Sequence, residues 1–203
     1  MKNKCCRLGE ERISGKNVLY ETDNFFIVPT IGQMEIEGYL LLCSKEHFVG
    51  TGNLPMEYDD ELINILDKTK ETISKVYNSE VLVFEHGPRL NCYKGGGCLD
   101  HMHFHLVPTD VNLKNFLKPL FNLEEIKNFS RLREIYQNKK SSYLFFENQD
   151  KEKYLIEVDI PLPSQYLRQV ISTSRGKKDW DWRIYPDDET FDKTLKRLKG
   201  EFK

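Results

Sequence analysis

The chain has 203 residues, of which 39% are hydrophobic, enough for one compact domain with a buried core. Its 30 basic and 32 acidic residues give a formal net charge of −2, which argues against binding a nucleic-acid polymer but not a single nucleotide. The sequence has no apolar run near the roughly 18 residues of a membrane helix and no secretion signal. With five scattered cysteines, it is therefore expected to be a cytoplasmic protein with free thiols and no membrane partner.

Short β-rich runs open the chain, and we expect strands over residues 18–20, 25–28 and 39–43. The strongest helix signal follows over about 55–77, with Pro55 suited to its first turn. Its apolar stripe consists of Leu62, Leu66, Thr69, Ile73 and Val76. Further strands are predicted over 81–84 and 102–107, on either side of a loop that contains Gly95-Gly96-Gly97.

The C-terminal third combines helix and hairpin signals. Residues 124–136 are predicted to be helical, and residues 143–146 and 154–158 to form a β-hairpin. Ser164 is a candidate N-cap for a following helix, and a charged helix is expected over about 189–199. Antiparallel strands with segregated helices predict an α+β fold with a C-terminal hairpin-and-helix extension.

Three of the five histidines alternate along one predicted strand, as His101, His103 and His105. Alternate residues of a strand point to the same face, so the three imidazoles are expected to face one pocket. The apolar residues between them, Met102, Phe104 and Leu106, would anchor the other face in the core.

Three readings of this cluster are open. A buried histidine is often only a hydrogen-bonded core residue, but three in a row would need three separate buried partners. The main rival is a metal site, since two imidazoles in a His-x-His strand suit zinc. The glycine run before the strand favours phosphate, because bare successive N–H groups can form an anion-binding nest.

A phosphate ligand in this pocket suggests a mechanism. A neutral imidazole has a lone pair that can attack phosphorus, and a neighbouring histidine or backbone carbonyl fixes which nitrogen holds the proton. His103, the central ring, is the predicted nucleophile of a covalent nucleotidyl-histidine intermediate. The glycine-loop amides and a second imidazole would stabilise the charge on the phosphate oxygens.

The motif His101-Met102-His103-Phe104-His105-Leu106-Val107 resembles the signature of the histidine-triad (HIT) family, His-φ-His-φ-His-φ-φ with φ apolar. Residues 38–47 resemble the family's glycine, apolar strand and Lys-x-His element. Residues 83–87 resemble the strand and turn that lead into the glycine loop. The resemblance covers roughly residues 18–108. Residues 165–168 and 180–183 also resemble a bacterial or phage-type subgroup of HIT-like hydrolases.

The resemblance implies an antiparallel α+β fold, a homodimer, and hydrolysis or transfer of a nucleotidyl group from a nucleotide or dinucleotide substrate. Residues 1–140 would be the HIT-like catalytic domain and residues 141–203 an extension packed on it. By the same resemblance His103 is the nucleophile, His105 contacts the phosphate, His101 orients the nucleophile and His47 supports the site. The implied substrate-binding residues of the loop are Gly96, Gly97 and Cys98.

Cys98 stands where the family often has a hydroxyl, and a thiol is the weaker donor. We therefore favour dinucleoside polyphosphates as substrates, with a nucleoside phosphoramidase or a nucleotide-binding module without turnover as alternatives. Metal-binding relatives use a CxxC near the N-terminus, but no cysteine lies three positions before Cys6, so neither a metal nor another cofactor is expected. Trp180 and Trp182 could stack on a nucleobase or seal an appended helix against the domain.

Overall fold

The computed structural model describes residues 15–87, 101–139 and 141–203. Its framework is one eight-stranded antiparallel sheet with the strand order β1-β2-β3-β5-β4-β7-β8-β6. The strands are β1 (Tyr20–Glu21), β2 (Phe25–Pro29), β3 (Leu40–Ser44), β4 (Val81–Gly87), β5 (His103–Pro108), β6 (Glu124–Glu125), β7 (Ser142–Glu147) and β8 (Lys153–Val158). The antiparallel α+β fold predicted from the sequence is confirmed.

Helices pack on both faces of this sheet. They are α1 (Asp59–Tyr77), α2 (Leu113–Leu117), α3 (Ser130–Glu134), α4 (Tyr166–Ser174) and α5 (Asp188–Leu198). Short 3-10 turns cover Thr51–Asn53 and Met56–Tyr58, and a π-helical turn covers Ile135–Lys139. In the part of the chain that the structure describes, no helix has the length and apolar character needed to cross a membrane.

Alternation along the strands divides the core into two apolar layers. The α1 face of the sheet carries Phe104 and Leu106 of β5, which cluster with Leu62 and Leu66 of α1. The opposite face, called here the α4 face, carries Phe84 and Val107, which cluster with Leu167 and Ile171 of α4. Successive residues of a strand point to opposite faces of the sheet. The β5 residues that alternate with Phe104 and Leu106 therefore point toward α4.

The predicted apolar stripe forms α1, but the helix begins later than expected. Its first residue is Asp59, because Pro55 leads into the 3-10 turn Met56–Tyr58 instead of the α-helix itself. Three acidic residues, Asp59, Asp60 and Glu61, occupy the first turn, where the partial positive charge of the helix N-terminus favours them. Arg133 ties this end to the domain by donating to the Asp59 carboxylate.

Two local predictions in the C-terminal third were wrong. The segment 124–136 is not one helix: Glu124–Glu125 pairs with β8 as strand β6, and only Ser130–Glu134 is α-helical. The N-cap of α4 is Gln165 instead of Ser164. Gln165 lies in the left-handed region with φ 62°, and its buried amide donates to Asp181 over 2.9 Å, a tertiary contact that overrides the capping preference of serine.

The predicted hairpin is present as β7 and β8, which pair from Ser142 with Val158 to Glu147 with Lys153. Strand β7 also pairs with β4, with Phe84 opposite Phe146. The hairpin of the extension therefore continues the same sheet as the strands that carry the histidines, and the boundary near residue 140 stays a prediction.

Candidate active site

Strand β5 brings His103 and His105 onto the α4 face of the sheet. Both side chains are buried, at 5% and 4% exposure, while Phe104 between them enters the α1 layer. The strand is held between its neighbours β3 and β4, with Cys43 opposite His103 and Phe84 opposite His105. The centroids of the two imidazole rings lie 4.8 Å apart.

His101 lies in a bend just before β5, so the expected strand holds two of the three histidines instead of all three. Its buried ring donates from Nε2 to the carbonyl oxygen of Ser44 over 2.7 Å, since a carbonyl can only accept. The ring of His47, which is exposed, packs edge-on against it with centroids 5.2 Å apart. Burial lowers the pKa of His101.

The protonation state of His103 follows from its backbone contact. Nδ1 lies 2.6 Å from the carbonyl oxygen of His101, so Nδ1 holds the hydrogen and the lone pair of Nε2 is free. Burial lowers the pKa of His103 to about 4, although the hydrogen bond to the His101 carbonyl acts to raise it. The ring is therefore neutral at pH 7. The backbone carbonyl of His101 thus orients the ring of His103.

Aromatic and polar neighbours hold His105. Its ring stacks on Phe84 with centroids 4.3 Å apart and an interplanar angle of 11°. Its Nδ1 lies 2.6 Å from the phenol oxygen of Tyr39, a buried residue just before β3. Burial, then the neighbouring His103 and His86, lower the pKa of His105 well below its usual value.

His86 is a further buried imidazole on the α4 face. It follows Phe84 at strand spacing on β4, and its ring lies edge-on to that of His105 with centroids 6.1 Å apart. Nε2 accepts a hydrogen bond from the backbone N–H of Leu167 over 3.1 Å. Burial lowers the pKa of His86 to about 3. The period of two along β4 places His86 on the same face as Phe84, provided that the strand continues to Gly87.

Arg168 of α4 places a guanidinium beneath these histidines, and sequence reasoning gave it no role. It is 1% exposed and donates to three neutral acceptors. Nε reaches the carbonyl oxygen of Trp180 at 2.9 Å, Nη1 the Tyr39 phenol oxygen at 3.0 Å and Nη2 the carbonyl oxygen of Gly32 at 2.8 Å. Its charge adds to burial in lowering the pKa values of His86, His103 and His105.

The structure describes only some of the other residues that the sequence singled out. Gly96, Gly97 and Cys98 lie outside the described residues. Trp180 is half-buried and packs on the apolar layer of the α4 face. Within residues 15–87, 101–139 and 141–203, no three His, Cys, Asp or Glu side chains are arranged to hold a metal ion.

No protein-family model matches the chain, and no curated protein matches it significantly. Solved structures similar to it include several HIT-family and HIT-like proteins. A HIT family protein from Bacillus anthracis is 23% identical, with a TM-score of 0.43 over 53% of this chain and 73% of that chain. A HIT-like protein from Bartonella henselae described as involved in cell-cycle regulation is 18% identical, with a TM-score of 0.44 over 53% and 81%. The yeast Ap4A phosphorylase Apa2, solved with Ap4A, is 10% identical, with a TM-score of 0.42 over 89% and 75%.

Proposed function

We propose that this protein is a HIT-type enzyme that cleaves a nucleotide at its α-phosphate through a covalent nucleotidyl-histidine. The observation that carries the proposal is the hydrogen bond from His103 Nδ1 to the His101 carbonyl, which leaves the Nε2 lone pair of a neutral ring available. The motif of residues 101–107 supports it independently, because it matches the family signature at every position.

In the first step, Nε2 of His103 attacks the α-phosphorus. A P–N bond forms, and the bond from phosphorus to the bridging oxygen breaks with its electron pair going to the leaving phosphate. The resulting imidazolium is stabilised through Nδ1 by the His101 carbonyl, 2.6 Å away. A neighbouring N–H donor from His105 would stabilise the charge that builds up on the non-bridging oxygens.

In the second step, water or another acceptor attacks the same phosphorus. The P–N bond breaks, its electron pair returns to Nε2, and the proton of the attacking water leaves to solvent or to the released phosphate. A water acceptor makes the enzyme a hydrolase, and a phosphate or alcohol acceptor makes it a transferase. Splitting one difficult displacement into two easier ones is the general advantage of a covalent intermediate.

Dinucleoside polyphosphates are the favoured substrates, because Cys98 offers a thiol, the weaker donor, where the HIT family often has a hydroxyl. The phosphate-binding roles of Gly96, Gly97 and Cys98 and the supporting role of His47 belong to this proposal. So do the division at residue 140, the homodimer and the cytoplasmic location that the resemblance and the sequence imply.

The test is turnover of a substrate panel by the wild-type chain and by His103→Ala. The panel contains diadenosine polyphosphates and aminoacyl-type nucleoside phosphoramidates. We expect wild-type cleavage of at least one class and loss of at least about a thousandfold in kcat for the variant. Wild-type turnover retained by His103→Ala on every substrate would overturn the assignment, and nucleotide binding without consumption would indicate a binding module instead.

A further inference from the structure

The hydrogen bond between Tyr39 and His105 raises the question of which partner donates. The phenol oxygen and Nδ1 are 2.6 Å apart, so one hydrogen lies between them. A neutral imidazole holds one hydrogen, on either Nδ1 or Nε2, and the partner of one nitrogen decides which. The direction of this bond therefore decides whether Nε2 of His105 is a donor or an acceptor.

Arg168 gives the bond its direction. Its Nη1 donates to the phenol oxygen of Tyr39 over 3.0 Å, and a guanidinium can only donate. A positive donor on that oxygen withdraws electron density and makes the phenol O–H the stronger donor. In the reverse arrangement, Nδ1–H of His105 and Nη1 of Arg168 would both donate to the phenol oxygen, and the phenol hydrogen would point away from His105. The O–H of Tyr39 therefore donates to Nδ1 of His105.

We propose that Tyr39 and Arg168 are positioning residues that keep the hydrogen of His105 on Nε2, so that this ring presents an N–H donor to the substrate phosphate. The inference rests on the proposed function, because only an anionic oxygen beside His105 makes the direction of this donor matter. A ring with the opposite tautomer would turn a lone pair toward that oxygen and repel it.

Burial of the guanidinium supports a role beyond stability. A buried charge is costly to desolvate, and Arg168 meets its partners as neutral oxygens of Tyr39, Gly32 and Trp180. The same charge helps to hold the pKa of His105 down, after burial and the neighbouring histidines. A neutral imidazole holds a single ring N–H hydrogen, so a hydrogen bond from Tyr39 to one nitrogen decides which nitrogen holds it.

Close packing fixes the guanidinium in this position. A Cβ on Gly32 would overlap Cβ of Trp182 and lie 2.7 Å from Nη2 of Arg168, so a side chain there would displace one of them. On the other side, the carbonyl oxygen of Trp180 holds Nε. The loop at Gly32 and the segment around Trp180 thus both hold the guanidinium of Arg168.

The direct test is the position of the hydrogen on His105, read from ¹H–¹⁵N long-range NMR spectra of histidine-labelled protein. In the wild type we expect Nε2 to be protonated and Nδ1 to be unprotonated. Tyr39→Phe, which removes one hydroxyl, and Arg168→Met should each shift part of the His105 population to the Nδ1–H form. Arg175→Met is the control, since Arg175 donates to the carbonyl of Met34 and its removal should leave the spectrum of His105 unchanged.

Kinetics give the second readout. Each variant should lower kcat by at least about tenfold with little change in KM, because a wrong tautomer weakens transition-state stabilisation more than substrate binding. The double variant should be no worse than the poorer single one, since both residues act through His105. If Arg168→Met does not fold, Tyr39→Phe decides alone.

A wild-type His105 protonated on Nδ1, or a Tyr39→Phe spectrum identical to that of the wild type, would overturn the inference. These NMR results do not depend on turnover. A wild type that cleaves no nucleotide would refute the proposed function, whereas an unshifted His105 in an active enzyme would refute the positioning role alone.

Discussion

The backbone N–H of Leu167 donates a hydrogen bond to Nε2 of His86 over 3.1 Å, joining the first turn of α4 to strand β4 across 81 residues of sequence. Both groups are buried in the apolar layer between the sheet and α4. Because N–H donors can only donate, Nε2 is the acceptor, and the hydrogen of this neutral ring lies on Nδ1. His86 is thus a hydrogen-bonding link between the extension and the sheet.

This link predicts different outcomes for two substitutions of His86. His86→Phe keeps an aromatic ring but leaves the Leu167 N–H without an acceptor, whereas the side-chain oxygen of His86→Gln can replace Nε2. We expect His86→Phe to be less stable than His86→Gln by about 1–3 kcal/mol in the free energy of unfolding, measured by urea denaturation at pH 8. Equal stability of the two variants would show that the hydrogen bond contributes little.

Burial of the histidines makes stability depend on pH. The folded pKa of His86, about 3, is below its usual value of 6.5, so between these values the unfolded chain binds a proton that the folded chain does not. The stabilising contribution is present above pH 6.5 and is lost as pH falls toward 3. From pH 7 to pH 5, the free energy of unfolding of the wild type should fall by about 1–2 kcal/mol more than that of His86→Gln.

The other titratable groups are common to both proteins in that comparison, so the difference isolates His86. A wild type and a His86→Gln variant that lose the same stability on acidification would mean that His86 is already charged, or solvated, in the folded protein.

Glu85 is a buried carboxyl on the opposite face of the sheet from His86. Its Oε1 accepts from the backbone N–H and hydroxyl of Thr51, at 2.8 and 3.1 Å, and its Oε2 accepts from the phenol of Tyr143 at 2.8 Å. Burial outweighs these three hydrogen bonds and raises the pKa of Glu85 to about 7. Around neutral pH, ionising this side chain therefore costs stability.

Glu85→Gln should show the opposite pH dependence from the histidine variant. The folded pKa lies above the ordinary value of 4.5, so the contribution of Glu85 is present below pH 4.5 and is lost as pH rises through about 7. From pH 5 to pH 8, the free energy of unfolding of Glu85→Gln should rise by about 2 kcal/mol relative to that of the wild type. A difference that does not change with pH would place the folded pKa near its ordinary value.

Periodic patterns predicted the frame of this protein well. The apolar stripe from Leu62 to Val76 and the alternation from Met102 to Val107 are local signals, and both produced the expected elements on the expected faces. The boundaries were less predictable. Pro55 begins a 3-10 turn, and Gln165 instead of Ser164 caps α4, because contacts distant in sequence decide these positions.

The surroundings of the histidines had no such local signal. Tyr39 and Arg168 are separated by 129 residues and meet only because α4 packs on the face that carries His105. The apolar run of β4 ends at Phe84, where the resemblance implies a turn, but two buried polar residues, Glu85 and His86, extend the strand beyond it. Their burial depends on hydrogen-bond partners that the sequence places elsewhere.

The most direct test of the account is the covalent adduct itself. Wild-type protein would be mixed with a diadenosine polyphosphate, quenched within the first turnover under alkaline conditions that preserve P–N bonds, and digested for mass spectrometry. We predict a nucleotidyl group attached to His103, with phosphorus bonded to Nε2, and no adduct in His103→Ala. Single-turnover cleavage without any adduct on His103, or an adduct on another residue that survives in His103→Ala, would contradict the nucleophilic role of this histidine.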